Sequence, residues 1–375
     1  MKKHAHVELA EVQREQGTLL CPGPCPHIFK GRKENRRIYG EIKKGEVFDY
    51  YDTLLGMTPI VRKKPEDRRF LAGIMAGAEK YTKMMLRIWV ELCGIRTFKD
   101  QDGIYQEWGP PGDFMMMRVL DYVRDLEKEL GVRIIYQHDC KRGDLAATQS
   151  GYYGRFLDDL WDKLRIKFSY LPYDTMNITV YMGSDVALLE ESKKKNPIPP
   201  RGLKVMRKNG KAIVVVDKTS NDSGPEYQQL FIPERGMTLE KCVAEDVHSW
   251  AEKYTLIYDE LSSLGLVVGS THPATGKMRA LAPTETFWVP GFGNQGGKFE
   301  NIMLELIREG KWNGQGAIFG SETGMMYVWR KRFGGTGRVS DAEKCAKLGV
   351  ENFKKVEHKA FQASEVKTAG IQYPF

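Results

Sequence analysis

"GDFMMMRVLDYVRDLEKELGVRIIYQHDCKRGD", residues 112–144, contains one complete structural alternation. In its first part Met115, Val119, Leu120, Val123 and Leu126 recur at helical spacing, and Gly131 can cap the helix that they predict. A short run of strand formers, "RIIYQHD" (133–139), follows and breaks off into Asp139, Lys141, Arg142 and Asp144. Helix, buried strand and charged exit form the repeating unit of an α/β protein.

The same unit recurs on both sides. Strand-like runs are "TLLC" (18–21), "IRTFK" (95–99), "RIIYQHD", "MNITVYM" (176–182), "KAIVVVDK" (211–218), "LGLVVGS" (264–270), "TFWVP" (286–290) and "GAIFG" (316–320). Helical patterns lie between them in "GRFLDDLWDKLR" (154–165), "LEKCVAEDVHSWAEKYTLIYDELSSLG" (239–265) and "GKFENIMLELIREG" (297–310). Eight strands is the closing number of a (β/α)8 TIM barrel, which is the expected fold; a doubly wound open sheet has the same alternation and is the alternative. Residues 1–375 are read as one barrel domain. A long insertion, 22–94, follows strand one and carries helices around 66 to 93, and residues 339–375 form a C-terminal helical extension. The proline-rich "EESKKKNPIPPRG" (190–202) reads as a solvated loop.

With 41% hydrophobic residues, a chain of 375 residues can bury a large core. Lys and Arg exceed Asp and Glu by 57 − 49 = 8, an excess spread along the chain. It suits an anionic small ligand and gives little support to nucleic-acid binding. Six cysteines form no CxxC pair or regular framework, so reduced thiols are expected and no zinc or redox site. There is no apolar leader and no run approaching the roughly 18 apolar residues of a membrane span, which favours a soluble, cytoplasmic protein without a membrane partner.

In a barrel the chemistry lies where the strands end. Strand two ends in Lys99, strand three in Asp139 with Lys141 and Asp144 beyond, and strand five in Thr219, Ser220 and Asn221. Such charges can be a salt-bridge network that closes the barrel top, the better reading for any single charged strand end. Two lysines and two carboxylates delivered by separate segments can do more. They fix one another's protonation and present a preorganised field, with a carboxylate to repel an anionic substrate group and an ammonium to protonate the carbon it leaves. That arrangement suits decarboxylation without a cofactor. After strand seven, "VPGFGNQGGKFENIMLELI" (289–307) places glycines before a predicted helix, where free N–H groups could hold a phosphate.

Four segments together resemble the orotidine 5'-phosphate decarboxylase family, in its longer variety. "DCKRGDLAAT" resembles the family's Asp-x-Lys-x-x-Asp motif with its following threonine, and "TFKDQDGIYQEWG" its strand-two lysine segment. "VVVDKTSNDSG" resembles the strand-five stretch, and "LVVGSTHPATGKMRALAPTETFWVPGFGNQGG" the block of strands six and seven. The order is kept over roughly residues 15 to 325. The resemblance implies a decarboxylase that makes uridine 5'-phosphate and CO2 for pyrimidine nucleotide synthesis, with neither metal nor organic cofactor. It implies a charged network of Lys99, Asp139, Lys141 and Asp144. In it Lys141 donates the proton to C6 of the pyrimidine, Asp139 faces the departing carboxylate and Lys99 links the network to the ribose. Asp144 and Thr148 would reach the partner's active site in a homodimer. Ser220 would contact the pyrimidine, Pro290 and Gly291 would line its pocket, and Gln295 would touch the phosphate.

Three positions depart from the pattern. Cys25 in "CPGPCP" is read at the place of the family's ribose-binding aspartate, and Gln101 stands where asparagine is usual. In "GSETG", Glu322 and Thr323 stand where the family ends strand eight in a phosphate-clamping arginine. Two alternatives therefore accompany the decarboxylase reading: a lyase of the same fold acting on another pyrimidine nucleotide or nucleoside, and a catalytically silent nucleotide-binding protein. The metal-using sugar-phosphate relatives of the barrel are disfavoured by Lys99, since they carry an acid there. His138 precedes Asp139 and should point to the opposite side of its strand, away from the site.

Overall fold

All eight runs form strands: β1 Leu20–Pro22, β2 Thr97–Gln101, β3 Ile135–Arg142, β4 Thr175–Ile178, β5 Ala212–Lys218, β6 Leu264–Val268, β7 Thr286–Val289 and β8 Ala317–Ser321. The computed structural model describes residues 3–40, 46–57, 65–158, 173–192, 197–271, 277–292, 297–306, 308, 310–330, 335–336, 338–363 and 373–375. The strands pair in parallel in the order β1-β8-β7-β6-β5-β4-β3-β2, which is a (β/α)8 TIM barrel closed except at one seam. Along β3, Ile135, Gln137 and Asp139 share one face and Tyr136 and His138 the other, the period of two that sends alternate residues inward.

At the seam β1 and β2 lie side by side without a ladder among the described residues, and side chains satisfy the backbone instead. Gln16 Nε2 donates to Thr18 O (2.8 Å), while its Oε1 accepts the Arg96 N–H (2.9 Å). Thr97 Oγ1 donates to Leu20 O at 2.8 Å. From the helix Ala342–Phe361, Glu357 accepts the Leu19 N–H (2.9 Å) and the Thr18 hydroxyl (2.7 Å).

Glu357 is fully buried, and burial pushes its carboxyl up to about 7. Because the folded value lies above the unfolded one, its favourable term is complete below about pH 4.5 and fades as pH rises through 7. Denaturant titration of the wild type should show stability falling over that window by on the order of 3 kcal/mol at most, and Glu357→Gln should flatten the fall. A slope unchanged by the substitution would remove Glu357 as its source.

The N-terminal helix Ala5–Gln16 plugs the end of the barrel opposite the strand exits. Its Leu9 and Val12 join Cys21, Ile135, Val214, Val267, Trp288 and Ile318 in one buried cluster. Each such aliphatic burial is worth about 1.5–3 kcal/mol, so this plug is part of the core. Outward-facing strand residues such as Phe98, Tyr136, Ile213 and Phe287 pack under the surrounding helices, among them Pro110–Leu130, which ends at Gly131 in the left-handed conformation as its sequence predicts. Between β1 and β2 lie Arg32–Tyr39, Glu46–Met57 and Pro65–Arg87, the last prolonged by a π turn, Ile88–Leu92. Among the described residues, no helix is long and apolar enough to cross a membrane.

Two expected helices are corrected. The 239–265 pattern is helical only over Leu239–Lys253, after which Ile257–Tyr258 and Leu261–Ser262 make a hairpin. Thr255, Asp259 and Glu260 all have positive φ (51°, 52° and 67°), and the last two form the left-handed pair that a two-residue hairpin turn requires. The 297–310 pattern gives two short 3-10 turns, Phe299–Asn301 and Met303–Leu306. Ile302 breaks the run at φ −125°, and Asn301 Nδ2 is tied to Ser270 O at 2.8 Å. No α-helix therefore follows the glycine-rich loop among the described residues. Of the 154–165 pattern, Gly154–Phe156 ends the helix Ala146–Phe156, and residues 159–165 lie outside the described residues. Residues 193–196 of the proline-rich connection lie outside them too.

Candidate active site

Alternation along β2 turns Thr97, Lys99 and Gln101 inward, which places the Lys99 ammonium at the barrel mouth with only 5% of its side chain exposed. Nζ lies 2.6 Å from Asp139 Oδ2 and 2.9 Å from Glu322 Oε1. Burial alone would lower the lysine's pKa; the two carboxylates outweigh it and hold the group well above its ordinary range, so Lys99 is charged. Asp139 is opposed by burial in the same way, yet Lys99 and Lys141 hold its carboxyl far below the carboxylate range. Lys141 Nζ reaches Asp139 Oδ1 at 2.5 Å, but half of its side chain faces solvent. The result is a charge chain, Glu322–Lys99–Asp139–Lys141, whose two middle members are buried and whose Lys141 end is the more exposed.

Asn177 of β4 shapes the exposed end. Its Nδ2 donates to Asp139 Oδ1 (2.6 Å), and its Oδ1 accepts the N–H groups of Cys140 (2.8 Å) and Lys141 (2.7 Å). The ladder between β3 and β4 is interrupted there, and Lys141 sits at φ 47°. A left-handed conformation costs a non-glycine residue about 1–2 kcal/mol, which the three Asn177 bonds offset. The bulge turns the Lys141 ammonium back onto Asp139.

A pocket of about 290 Å3 opens over this chain. Lys99, Asp139, Lys141 and Asn177 line one wall; Thr219, Ser220, Asn221 and Pro290 line the other; Val267, Trp288 and Ile318 make an apolar floor. Gln228 fixes the β5 exit by accepting the Thr219 N–H (2.9 Å) and donating to its hydroxyl (2.7 Å). Thr271 Oγ1 donates to Ser220 O at 3.0 Å. Gly291, at φ 110°, packs so closely on Ser270 that a Cβ would lie 3.0 Å from its Oγ. Two roomier clefts, about 450 and 530 Å3, lie outside the barrel near 184–192 and 198–208 and contain no such charge chain. The 290 Å3 pocket is therefore the candidate site. Among the described residues, no group of three His, Cys, Asp or Glu side chains is placed to hold a metal ion.

The structure brings together Lys99, Asp139, Lys141, Ser220 and Pro290, with Gly291 beside Ser220. Asp144 is not part of the charge chain: its Oδ1 accepts the Leu145 N–H at 2.7 Å. Thr148 stands exposed on the helix Ala146–Phe156. Gln295 lies outside the described residues, as does most of the glycine-rich loop, whose ends meet where the Gly297 N–H donates to Gly291 O (2.9 Å). Cys25 does not face the mouth. It is buried, its Sγ accepts the Gln101 N–H at 3.2 Å, and the residue of strand one that adjoins Lys99 and Glu322 is Gly23.

Sequence reasoning missed Asn177 and took Glu322 as a loss. A lone amide within "MNITVYM" was the available signal for the first; nothing local marks the second. His138 points out of the barrel as its parity predicts, with Nδ1 2.7 Å from Asp100 Oδ1 and its ring between Phe156 and Tyr173. Arg142 pairs with Asp102 and covers Tyr152, so it is a packing charge behind the site.

No family model matches the chain. The orotidine 5'-phosphate decarboxylase of Caldicellulosiruptor bescii is 25% identical over 261 residues, 68% of this chain and 74% of that one. The enzyme of that name from Clostridium kluyveri is 28% identical over 254 residues (67% and 75%), and that from Petrotoga mobilis 24% over 317 (84% and 95%). Among solved structures, Plasmodium berghei orotidine 5'-monophosphate decarboxylase superposes with TM-score 0.60 at 15% identity, covering 97% of this chain and 100% of that one. Leishmania donovani OMP decarboxylase gives 0.54 at 21% (94% and 98%), so both share the fold.

Proposed function

We propose that the chain, which is similar to curated orotidine 5'-phosphate decarboxylases over two thirds or more of its length, is a carboxy-lyase of that family converting orotidine 5'-phosphate to uridine 5'-phosphate and CO2. The observation that carries this reading is the Lys99–Asp139–Lys141 chain at the pocket wall, in which one carboxylate is kept ionised by two ammonium groups. A substrate carboxylate placed against Asp139 meets like charge and loses that repulsion as CO2 departs. The C6–carboxyl bond breaks, its electron pair stays on C6, and Lys141 Nζ supplies the proton. Lys99 holds Asp139 ionised and in place from the buried side. The apolar floor of Val267, Trp288 and Ile318 gives the pyrimidine a dry surface, and Ser220, Pro290 and Gly291 edge it. None of these steps calls on a metal or an organic cofactor.

In this reading Gln295 contacts the phosphate, and the protein works in the cytoplasm as a homodimer. Asp144 and Thr148, which stand clear of their own chain's site, then reach the site of the second subunit. Purified protein mixed with orotidine 5'-phosphate should consume its ultraviolet absorbance with one CO2 released per nucleotide; binding without turnover would defeat the reading. Glu322 at the exit of β8, where the resemblance expects a phosphate-clamping arginine, favours a second reading: a lyase of the same fold for another pyrimidine nucleotide or a nucleoside. Loss of orotidine absorbance at a rate matching or exceeding that of its phosphate would select it.

A further inference from the structure

Glu322 and Gly23 form an arrangement that the proposed reaction does not itself explain. They are neighbours one residue past the end of the β1–β8 ladder, where Pro22 is in register with Ser321 and the Gly23 N–H donates to Ser321 O at 3.1 Å. A Cβ added to Gly23 would lie 2.4 Å from Glu322 Cγ. No side chain fits there, so the absence of one on strand one lets Glu322 cross from β8, over β1, to Lys99 on β2. One carboxylate oxygen, Oε1, takes the Lys99 ammonium at 2.9 Å. The other accepts no hydrogen bond among the described residues, and the side chain, which adjoins the pocket through Lys99, keeps 22% of its surface exposed.

We propose that Glu322 is a substrate-binding residue, whose Oε2 accepts hydrogen bonds from the hydroxyl groups of the substrate's sugar. A carboxylate can only accept, so the group opposite it must be a donor. It repels a phosphate, and in a pyrimidine nucleotide the donors outside the base are the ribose hydroxyls. Lys99 fixes the carboxylate from behind, so the acceptor is preorganised and the bond is charge-assisted. The carboxylate that grips the sugar thus comes from strand eight, and the glycine of strand one makes room for it. A second consequence is specificity: sugars lacking these hydroxyls leave a charged acceptor unpaired and are rejected.

This inference rests on the nucleotide-decarboxylase reading of the same pocket, and calorimetric binding of products separates the two. Wild-type protein is titrated with uridine 5'-phosphate and with its 2',3'-dideoxy analogue, and the pair is repeated with Glu322→Gln. An amide in that place gives its oxygen to Lys99 and puts a donor where Oε2 stood. The wild type should prefer the ribonucleotide by roughly 10- to 100-fold. The variant should lower that ratio to about threefold or less, while its affinity for the dideoxy analogue stays within about threefold. Equal binding of both nucleotides by the wild type would overturn the role of Glu322 and leave the decarboxylase reading standing. So would equal weakening of both by the substitution, the mark of a residue that only props up Lys99. A wild type that binds neither nucleotide would overturn both readings together.

Discussion

Lys141→Ala is expected to lower the rate of orotidine 5'-phosphate decarboxylation by roughly 10²- to 10⁴-fold, the range for losing a positioned proton donor. The fold should barely notice. Half of the Lys141 side chain is exposed, so its ion pair with Asp139 contributes no more than about 1 kcal/mol, and the bulge is held through the backbone N–H by Asn177. Single-turnover absorbance measurements on the variant, beside a thermal melt, check both halves of the expectation. A fall of less than tenfold would remove Lys141 as the donor.

Asp139→Ala should do more damage, of a different kind. Lys99 is almost fully buried and would keep Glu322 as its one carboxylate partner among the described residues. Breaking a buried ion pair costs roughly 3–5 kcal/mol; the remaining partner places this case near the lower end, about 3 kcal/mol by urea denaturation. Activity should fall below detection, because the group that repels the substrate carboxylate in the proposed reaction is gone. The direction of the pKa shifts sets the pH behaviour. The Asp139 carboxyl is depressed, so its contribution is complete above the ordinary carboxylate range and is lost only in strong acid. Lys99 is raised, so its contribution is complete below the ordinary lysine range and is lost only in strong base. The stability gap between wild type and variant should therefore stay constant from about pH 5 to pH 8. A gap that closes within that window would mean that the pair is not ionised as described.

How much of this was legible in the chain depends on how local each signal is. Strands and their inward faces were readable because burial on a pleated strand imposes a period of two; that period separates Asp139 from His138 with no three-dimensional information. The hairpin after Lys253 was hidden, since its turn uses Asp259 and Glu260 in left-handed conformations usually marked by glycine or asparagine. Lys99, Asp139 and Lys141 could be found because two of them share one strand end. Glu322 could not be assigned, because its meaning depends on Gly23, 299 positions earlier, and on the lysine beyond it. Cys25 was the misleading neighbour: it stands two residues past the glycine that matters, with its thiol turned into the protein.

The seam between β1 and β2 bears on how this barrel is made. Strand one depends for the Leu19 amide and the Thr18 hydroxyl on Glu357, which lies 338 residues beyond Leu19. On a growing chain that carboxylate follows all eight strands, so strand one is secured only after the last of them has been made. Sequence separation of this size makes closure slow and leaves an unpaired strand edge open meanwhile. The nascent barrel thus keeps an edge open to wrong partners while its eight strands are made, and the helix Ala342–Phe361 ends that exposure.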